Sequence, residues 1–134
     1  MKKLLSILCL AVMVAVLPAC TKKYITPNPN RTIIFDVPSS SWTLSTDGHS
    51  YYSVIDVPEI DSYFNDYGGV LVYFSFTNGV YEQVPEVYNG ISYSYTHNKG
   101  SVVLYAQSPD GNTPIKPDPL TLKLLLLTSA IFTV

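Results

Sequence analysis

Apolar and polar residues alternate along much of this chain, in short stretches broken by Gly, Pro and Asn. Ile33, Phe35 and Val37 share one side of the first such stretch, and Ile91 and Tyr93 begin a similar pattern further on. A period of two is typical of strands with one buried face. Many such strands with frequent turn residues predict an all-β domain.

Three dipeptides between these stretches predict tight hairpin turns: Asp47-Gly48, Asn78-Gly79 and Asn89-Gly90. Asp-Gly suits the positive φ angles of a type I′ turn, which would set Leu44 opposite Tyr51.

Residues 69–85 give the strongest strand signal, because apolar side chains occupy both faces ahead of the Asn78-Gly79 turn, as in a central strand. The turn at Asn78-Gly79 would set Phe76 opposite Tyr81.

One segment departs from the β pattern and predicts a short helical crossover near 61–67 between strands of different sheets. Asp61 can cap the start of a helix, and Gly68 can end it in a left-handed conformation.

The last strand candidate is leucine-rich: Thr121 and Lys123 alternate with Leu120, Leu122, Leu124 and Leu126. We interpret it as a buried last strand. Its alternative is a helix or a second membrane contact, since leucine favours helix. Together, these predicted strands and turns indicate an antiparallel two-sheet sandwich of seven to nine strands. We expect it to be immunoglobulin-like, with a jelly roll as the alternative.

The N-terminus has the layout of a secretory signal peptide, with Lys2 and Lys3 preceding the apolar run Leu4–Leu17. That run is shorter than the ~20 residues of a membrane-spanning helix. The sequence then reads Leu17-Pro18-Ala19-Cys20, which resembles a bacterial lipobox. The resemblance implies cleavage before Cys20 and lipidation of its sulfur; ordinary secretion with a free Cys20 thiol is the alternative.

This interpretation divides the chain into a signal peptide (1–19), a lipidated Cys20 with a flexible tether (20–30) and a β-sandwich domain (31–134). Cys9 leaves with the signal, so no cysteine remains for a disulfide or a thiolate metal site. From Arg31 onward four basic residues face ten acidic ones, a net charge of −6. That balance argues against nucleic-acid binding, which requires clustered Lys and Arg.

The residues suggest no catalytic site, metal site or cofactor. His49 and His97 lack the neighbouring ligands that zinc requires, and no G-x-S-x-G motif appears. A cluster of acids, Asp56, Glu59, Asp61 and Asp66, offers oxygen ligands for calcium, but the EF-hand spacing is absent, and helix capping and a solvated crossover explain the cluster better.

The chain contains eleven tyrosines, more than a small core can bury with every hydroxyl satisfied. Exposed rings can stack on sugars or bind a protein partner. The candidate ligand-binding aromatics are Tyr51, Tyr93 and Tyr95, and cross-strand packing is the alternative role for each.

The phrases "TIIFDVPSSSW", "YYSVIDVPEID" and "GGVLVYFSF" resemble small uncharacterised lipoproteins of Bacteroidetes-type envelopes. The resemblance implies a lipid-anchored β-sandwich without catalytic residues. Some surface-displayed lipoproteins of such bacteria carry acids just after the lipidated cysteine, whereas this chain has Thr21-Lys22-Lys23. We therefore expect the periplasmic leaflet of the outer membrane. The expected function is a binding or assembly module, with a glycan-binding accessory as the alternative and an enzyme as the less favoured third.

Overall fold

The computed structural model describes residues 30–129. The predicted signal peptide, Cys20 and most of the predicted tether lie outside the described residues, as do residues 130–134. The described part contains nine strands, one α-helix and one short 3₁₀ helix: β1 Arg31–Val37, the 3₁₀ helix Ser39–Ser41, β2 Thr43–Leu44, β3 Ser50–Asp56, α1 Ser62–Tyr67, β4 Gly69–Thr77, β5 Val80–Val84, β6 Glu86–Tyr88, β7 Ile91–Asn98, β8 Ser101–Gln107 and β9 Leu120–Leu127.

The strands form two antiparallel sheets, which confirms the predicted all-β sandwich. One sheet has four strands in the order β1-β9-β4-β5, and the other has five in the order β2-β3-β8-β7-β6. Each sheet turns one face inward, because a sheet with an apolar face has to bury it against another element.

The strand order matches the predicted immunoglobulin-like arrangement, with one permutation, rather than the jelly-roll alternative. In immunoglobulin domains the sheets run A-B-E-D and G-F-C-C′. Here β2-β3-β8-β7 follows the first order and β1-β9-β4-β5 follows the second. The position of strand G, which normally ends the chain, is filled by β1, the first strand. The domain is therefore closed by pairing its first strand with its last.

The leucine-rich stretch is a strand, as predicted, and the helical alternative is wrong. Strand β9 lies between β1 and β4 and pairs with both. Leu120, Leu122, Leu124 and Leu126 are buried, while Thr121 and the residues alternating with it are half-buried. Burial on a pleated face overrides the intrinsic helix preference of leucine.

The structure confirms part of what the Asp-Gly and Asn-Gly dipeptides predict about the hairpin turns and contradicts the rest. Asn89-Gly90 has positive φ at both residues (48° and 77°), as a type I′ turn requires. At Asp47-Gly48 the register Leu44–Tyr51 is confirmed, but only Gly48 has positive φ, so the type I′ prediction is wrong. The Asp47 carboxylate instead accepts hydrogen bonds from Ser45 Oγ and the His49 amide, which favours a wider loop.

The predicted pairing of Phe76 with Tyr81 is wrong, although the two-residue turn before Val80 is present. The register shifts between Phe74, which pairs with Glu82, and Thr77, which pairs with Val80. This bulge buries both Phe74 and the following Ser75. The Ser75 hydroxyl donates to the carbonyl of Thr77 (2.7 Å), so the bulge supplies a partner for its own buried polar group.

The helical crossover is confirmed, and it connects β3 of one sheet to β4 of the other. The Asp61 carboxylate caps it by accepting the Phe64 amide hydrogen (2.7 Å). The predicted left-handed ending is wrong, since Gly68 is extended (φ −89°, ψ −179°). Gly68 is required for another reason: a Cβ there would lie 2.7 Å from both the ring and the carbonyl oxygen of Phe64.

Candidate functional site

The three tyrosines singled out from the sequence lie on the inner face of the five-stranded sheet. Tyr51 and Tyr93 both pair with Ala106, which is fully buried, and Tyr95 pairs with the buried Leu104. Side chains in one row across a sheet share a face. All three rings therefore point toward the opposing sheet.

Tyr93 is part of the core, with only 2% of its surface exposed. Its ring packs edge-on against Trp42 and Phe74, at centroid distances of 6.4 and 5.4 Å. Burial raises the pKa of its hydroxyl to about 12. A ring enclosed in this way has no free face on which a ligand could stack.

Tyr95 connects the two sheets. Its hydroxyl donates a hydrogen bond to the carbonyl of Val70 across the sandwich (2.7 Å), and burial raises its pKa. Tyr51 packs half-buried at the border of the same core. The sequence carried this signal, because the residues that alternate with Tyr93 and Tyr95 are Ser92, Ser94 and Thr96, which mark the solvent-facing side of β7.

The two histidines lie at opposite ends of the sandwich. His49 immediately precedes β3, whose first residue pairs with Gln107 at the end of β8. His97 pairs with Val102 near the start of β8. Its Nδ1 is buried and has no hydrogen-bond partner within the described region. The fold does not bring the two imidazoles to one site.

The acidic cluster is divided between structural and solvated roles. Asp61 caps α1, while Asp56, Glu59 and Asp66 are exposed. Among residues 30–129, no group of three or more His, Cys, Asp or Glu side chains is arranged to hold a metal ion.

A shallow depression of about 380 Å³ lies where β1 ends, β4 bulges and β9 begins. Two of its side-chain hydroxyls already make hydrogen bonds within the protein. Thr121 Oγ1 donates to the Asp36 carboxylate (3.1 Å), and Ser75 Oγ donates to the backbone. The depression therefore offers a small polar contact surface, with its hydroxyls committed to neighbouring oxygens.

A more extensive surface lies on the outer side of the four-stranded sheet. We call it the outer apolar face and define it by six side chains: Ile34, Leu71, Tyr73, Tyr81, Lys123 and Leu125. Leu125 pairs with Leu71, and Lys123 lies between Ile34 and Tyr73, so these side chains form two adjacent rows. Ile34 is 57% exposed and the other five are half-buried.

Lys123 sits over two tyrosine rings on this face. Its ammonium nitrogen lies 3.8 Å from the ring centroid of Tyr81 and 4.8 Å from that of Tyr73, both within cation–π range. Sequence reasoning assigned Lys123 to the outer side of β9 but missed this face. The signal was Leu125, an apolar residue at an outward position of the same strand.

The outer side of the five-stranded sheet has a different character. Tyr52 and Tyr105 pair directly across β3 and β8, and both rings are half-buried. Hydroxyl side chains lie beside them on the neighbouring strands, with Thr43 beside Tyr52 and Ser94 beside Tyr105. This face combines two neighbouring aromatic rings with hydrogen-bonding groups.

Comparison with family models, curated proteins and solved structures finds no match to this chain. Within residues 30–129, no helix has the length and hydropathy that a membrane crossing requires.

Proposed function

We propose that this protein is a lipid-anchored module of the bacterial cell envelope that binds a protein partner through its outer apolar face. Support for the anchor comes from the sequence, where the lipobox-like Leu17-Pro18-Ala19-Cys20 follows a signal-like apolar run. Several acyl chains on Cys20 would hold the domain on the outer membrane, because each buried methylene contributes about 0.8 kcal/mol. The periplasmic leaflet remains the proposed side.

The observation that carries the binding role is the composition of the outer apolar face. Ile34, Leu71 and Leu125 provide adjacent aliphatic surface, and exposed patches of this kind mark interaction sites. The same face carries two tyrosines, Tyr73 and Tyr81, around Lys123. Aromatic residues such as tyrosine contribute much of the binding energy at protein interfaces. Lys123 already covers the Tyr73 and Tyr81 rings, which favours a protein partner over a sugar that stacks on open rings.

The anchor is tested by labelling cells with an alkynyl fatty acid. Wild type should incorporate the label and Cys20→Ala should not. Label that persists in Cys20→Ala would refute lipidation at this sulfur.

The binding face is tested by placing a photo-crosslinking amino acid at Ile34, with Val54 as the matched control. Val54 is 55% exposed on the outer side of the other sheet, so the two positions are equally accessible. We expect one discrete crosslinked product from position 34, lost when Leu125→Glu is added, and none from position 54. Equal products from both positions would refute the assignment of this face.

A glycan-binding role is the second candidate, and the Tyr52–Tyr105 pair favours it. Rings flanked by hydroxyl groups can stack on a sugar and hydrogen-bond to it. Tyr52→Ala with Tyr105→Ala should then abolish retention on an envelope glycan array and leave the crosslink from position 34 intact. Absence of retention by wild type would remove this candidate.

A further inference from the structure

Both limits of the described chain meet the end of α1 at one end of the sandwich. The Thr128 amide donates a hydrogen bond to the Asn30 side-chain oxygen (3.1 Å). The neighbouring Ser129 hydroxyl donates to the carbonyl of Tyr67, the last residue of α1. The point where the predicted tether joins the domain is therefore close to this helix.

Helix α1 presents an exposed aromatic pair at this end. Tyr63 and Tyr67 are 60% and 48% exposed, whereas Phe64 on the other side of the helix is buried. The two exposed rings lie 4.9 Å apart between centroids. This pair, which we call the Tyr63–Tyr67 pair, is separate from the outer apolar face and plays no part in the core.

The length of the tether decides what this end can reach. Cys20 and Asn30 are ten residues apart, so the connection spans at most ~35 Å when fully extended. A strand such as β4, with nine residues, is ~30 Å long. A lipid on Cys20 would therefore keep the domain at the bilayer, and a surface contact has to select which end of the sandwich faces it. Tethering of this kind turns a weak surface contact into an intramolecular one.

Tyrosine is suited to the headgroup region of a bilayer, where its ring lies among apolar groups and its hydroxyl stays hydrated. The charges nearby select among lipids. Asp61 and Asp66 are exposed within two residues of the pair in sequence. Basic residues lie at the same end: Arg31 pairs with Leu126, and Lys99 precedes Gly100, whose amide bonds to the Ile60 carbonyl. This mixture of charges fits a zwitterionic lipid layer.

We propose that the Tyr63–Tyr67 pair rests in the zwitterionic headgroup layer and thereby holds the anchored sandwich upright, with the opposite end directed away from the membrane. This inference rests on the proposed lipid anchor. In this orientation the outer apolar face stands roughly perpendicular to the bilayer, where it is open to a partner.

The test uses the full chain, processed in bacterial membranes, purified and reconstituted into phosphatidylethanolamine–phosphatidylcholine vesicles that contain a headgroup-level quenching lipid. Tyr63→Trp reports from the pair. Ile115→Trp is the matched control, since Ile115 is exposed in the loop between β8 and β9 at the far end. Trp42, which is buried, gives the same background in both. Tyr67→Trp repeats the measurement if Tyr63→Trp fails to fold.

We expect about twofold or greater quenching for Tyr63→Trp and none above background for Ile115→Trp. Equal quenching at both positions in protein that floats with the vesicles would overturn the orientation and leave the anchor standing. Protein that fails to float would overturn both. Emission from Tyr63→Trp that is already blue-shifted without vesicles would mean that the pair is buried in the protein itself, which also overturns the proposal.

Discussion

His49 and Gly111 join two loops that are 62 residues apart in sequence: the His49 Nδ1 lies 2.7 Å from the carbonyl oxygen of Gly111. A carbonyl only accepts, so Nδ1 carries the hydrogen and donates it. The two loops have the same local structure. In each, a serine hydroxyl donates a hydrogen bond to the aspartate two residues later, within Ser45-Thr46-Asp47-Gly48 and Ser108-Pro109-Asp110-Gly111. The contact ties the connection between β8 and β9 to the hairpin between β2 and β3.

Replacing His49 tests whether this contact stabilises the domain. We expect His49→Ala to lower the free energy of unfolding by about 1 kcal/mol, the usual net contribution of one hydrogen bond. His49→Asn is the matched control, because its amide nitrogen can donate from nearly the same position as Nδ1. Urea denaturation measures both, and equal losses for the two variants would contradict a role for the donor.

Gly68 tests the close approach at the end of α1. A Cβ on this residue would lie 2.7 Å from the Phe64 carbonyl oxygen, which is backbone and yields little. We therefore expect Gly68→Ala to destabilise the domain by about 2 kcal/mol, in the range for overpacked positions. Gly69→Ala is the control: its Cβ would meet only Leu127, at 4.0 Å. A neutral Gly68→Ala in thermal denaturation would mean that the helix end shifts freely.

The contrast between Gly68 and Gly90 shows how far sequence reasoning reaches. At Asn89-Gly90 local chemistry decides the backbone, so the type I′ turn followed from the dipeptide. At Gly68 the requirement comes from the ring and carbonyl of Phe64. Nothing in the local sequence specifies where that ring packs, and the left-handed ending was the natural but incorrect expectation.

The same limit applies to the candidate sites. Alternation identified the buried side of β9, because Leu122 and Leu124 repeat every second residue. It did not identify which strands would lie beside β9, and the outer apolar face depends on that pairing. Ile34 and Tyr73 are 39 residues apart and become neighbours only because Lys123 lies between them. Similarly, Phe76 was misplaced because a bulge is a tertiary feature of β4 and β5 together.

Tyr95 offers a test that separates a structural tyrosine from a ligand-binding one. Its hydroxyl donates to the Val70 carbonyl of the opposing sheet, so Tyr95→Phe should cost about 1 kcal/mol of stability. Tyr105→Phe is the control, since that hydroxyl makes only a long 3.5 Å contact with Thr96 at the surface. Chemical denaturation of the two variants gives the comparison. If Tyr95→Phe unfolds at the same urea concentration as wild type, the inter-sheet hydrogen bond contributes nothing.

Glu86 makes stability depend on pH. Its pKa is raised, first by partial burial and second by repulsion from Glu82, and its Oε1 is buried with no hydrogen-bond partner among the residues described. A raised pKa means that the folded state favours the protonated carboxyl. The free energy of unfolding that depends on this protonation is fully present below pH 4.5, the ordinary pKa of a glutamate carboxyl. It is lost as the pH rises through the higher pKa of Glu86 in the folded state.

A neutral side chain at position 86 should keep that stability at every pH. We expect Glu86→Gln to raise the free energy of unfolding at pH 7 by on the order of 0.5 kcal/mol after solvent screening. The difference from wild type should close as the pH falls to about 4. Glu82→Gln removes the repulsion and leaves the burial, so it should give a smaller gain at pH 7. Urea midpoints across this pH range measure all three proteins, and a Glu86→Gln effect that stays constant with pH would show that ionisation of this carboxyl is not its cause.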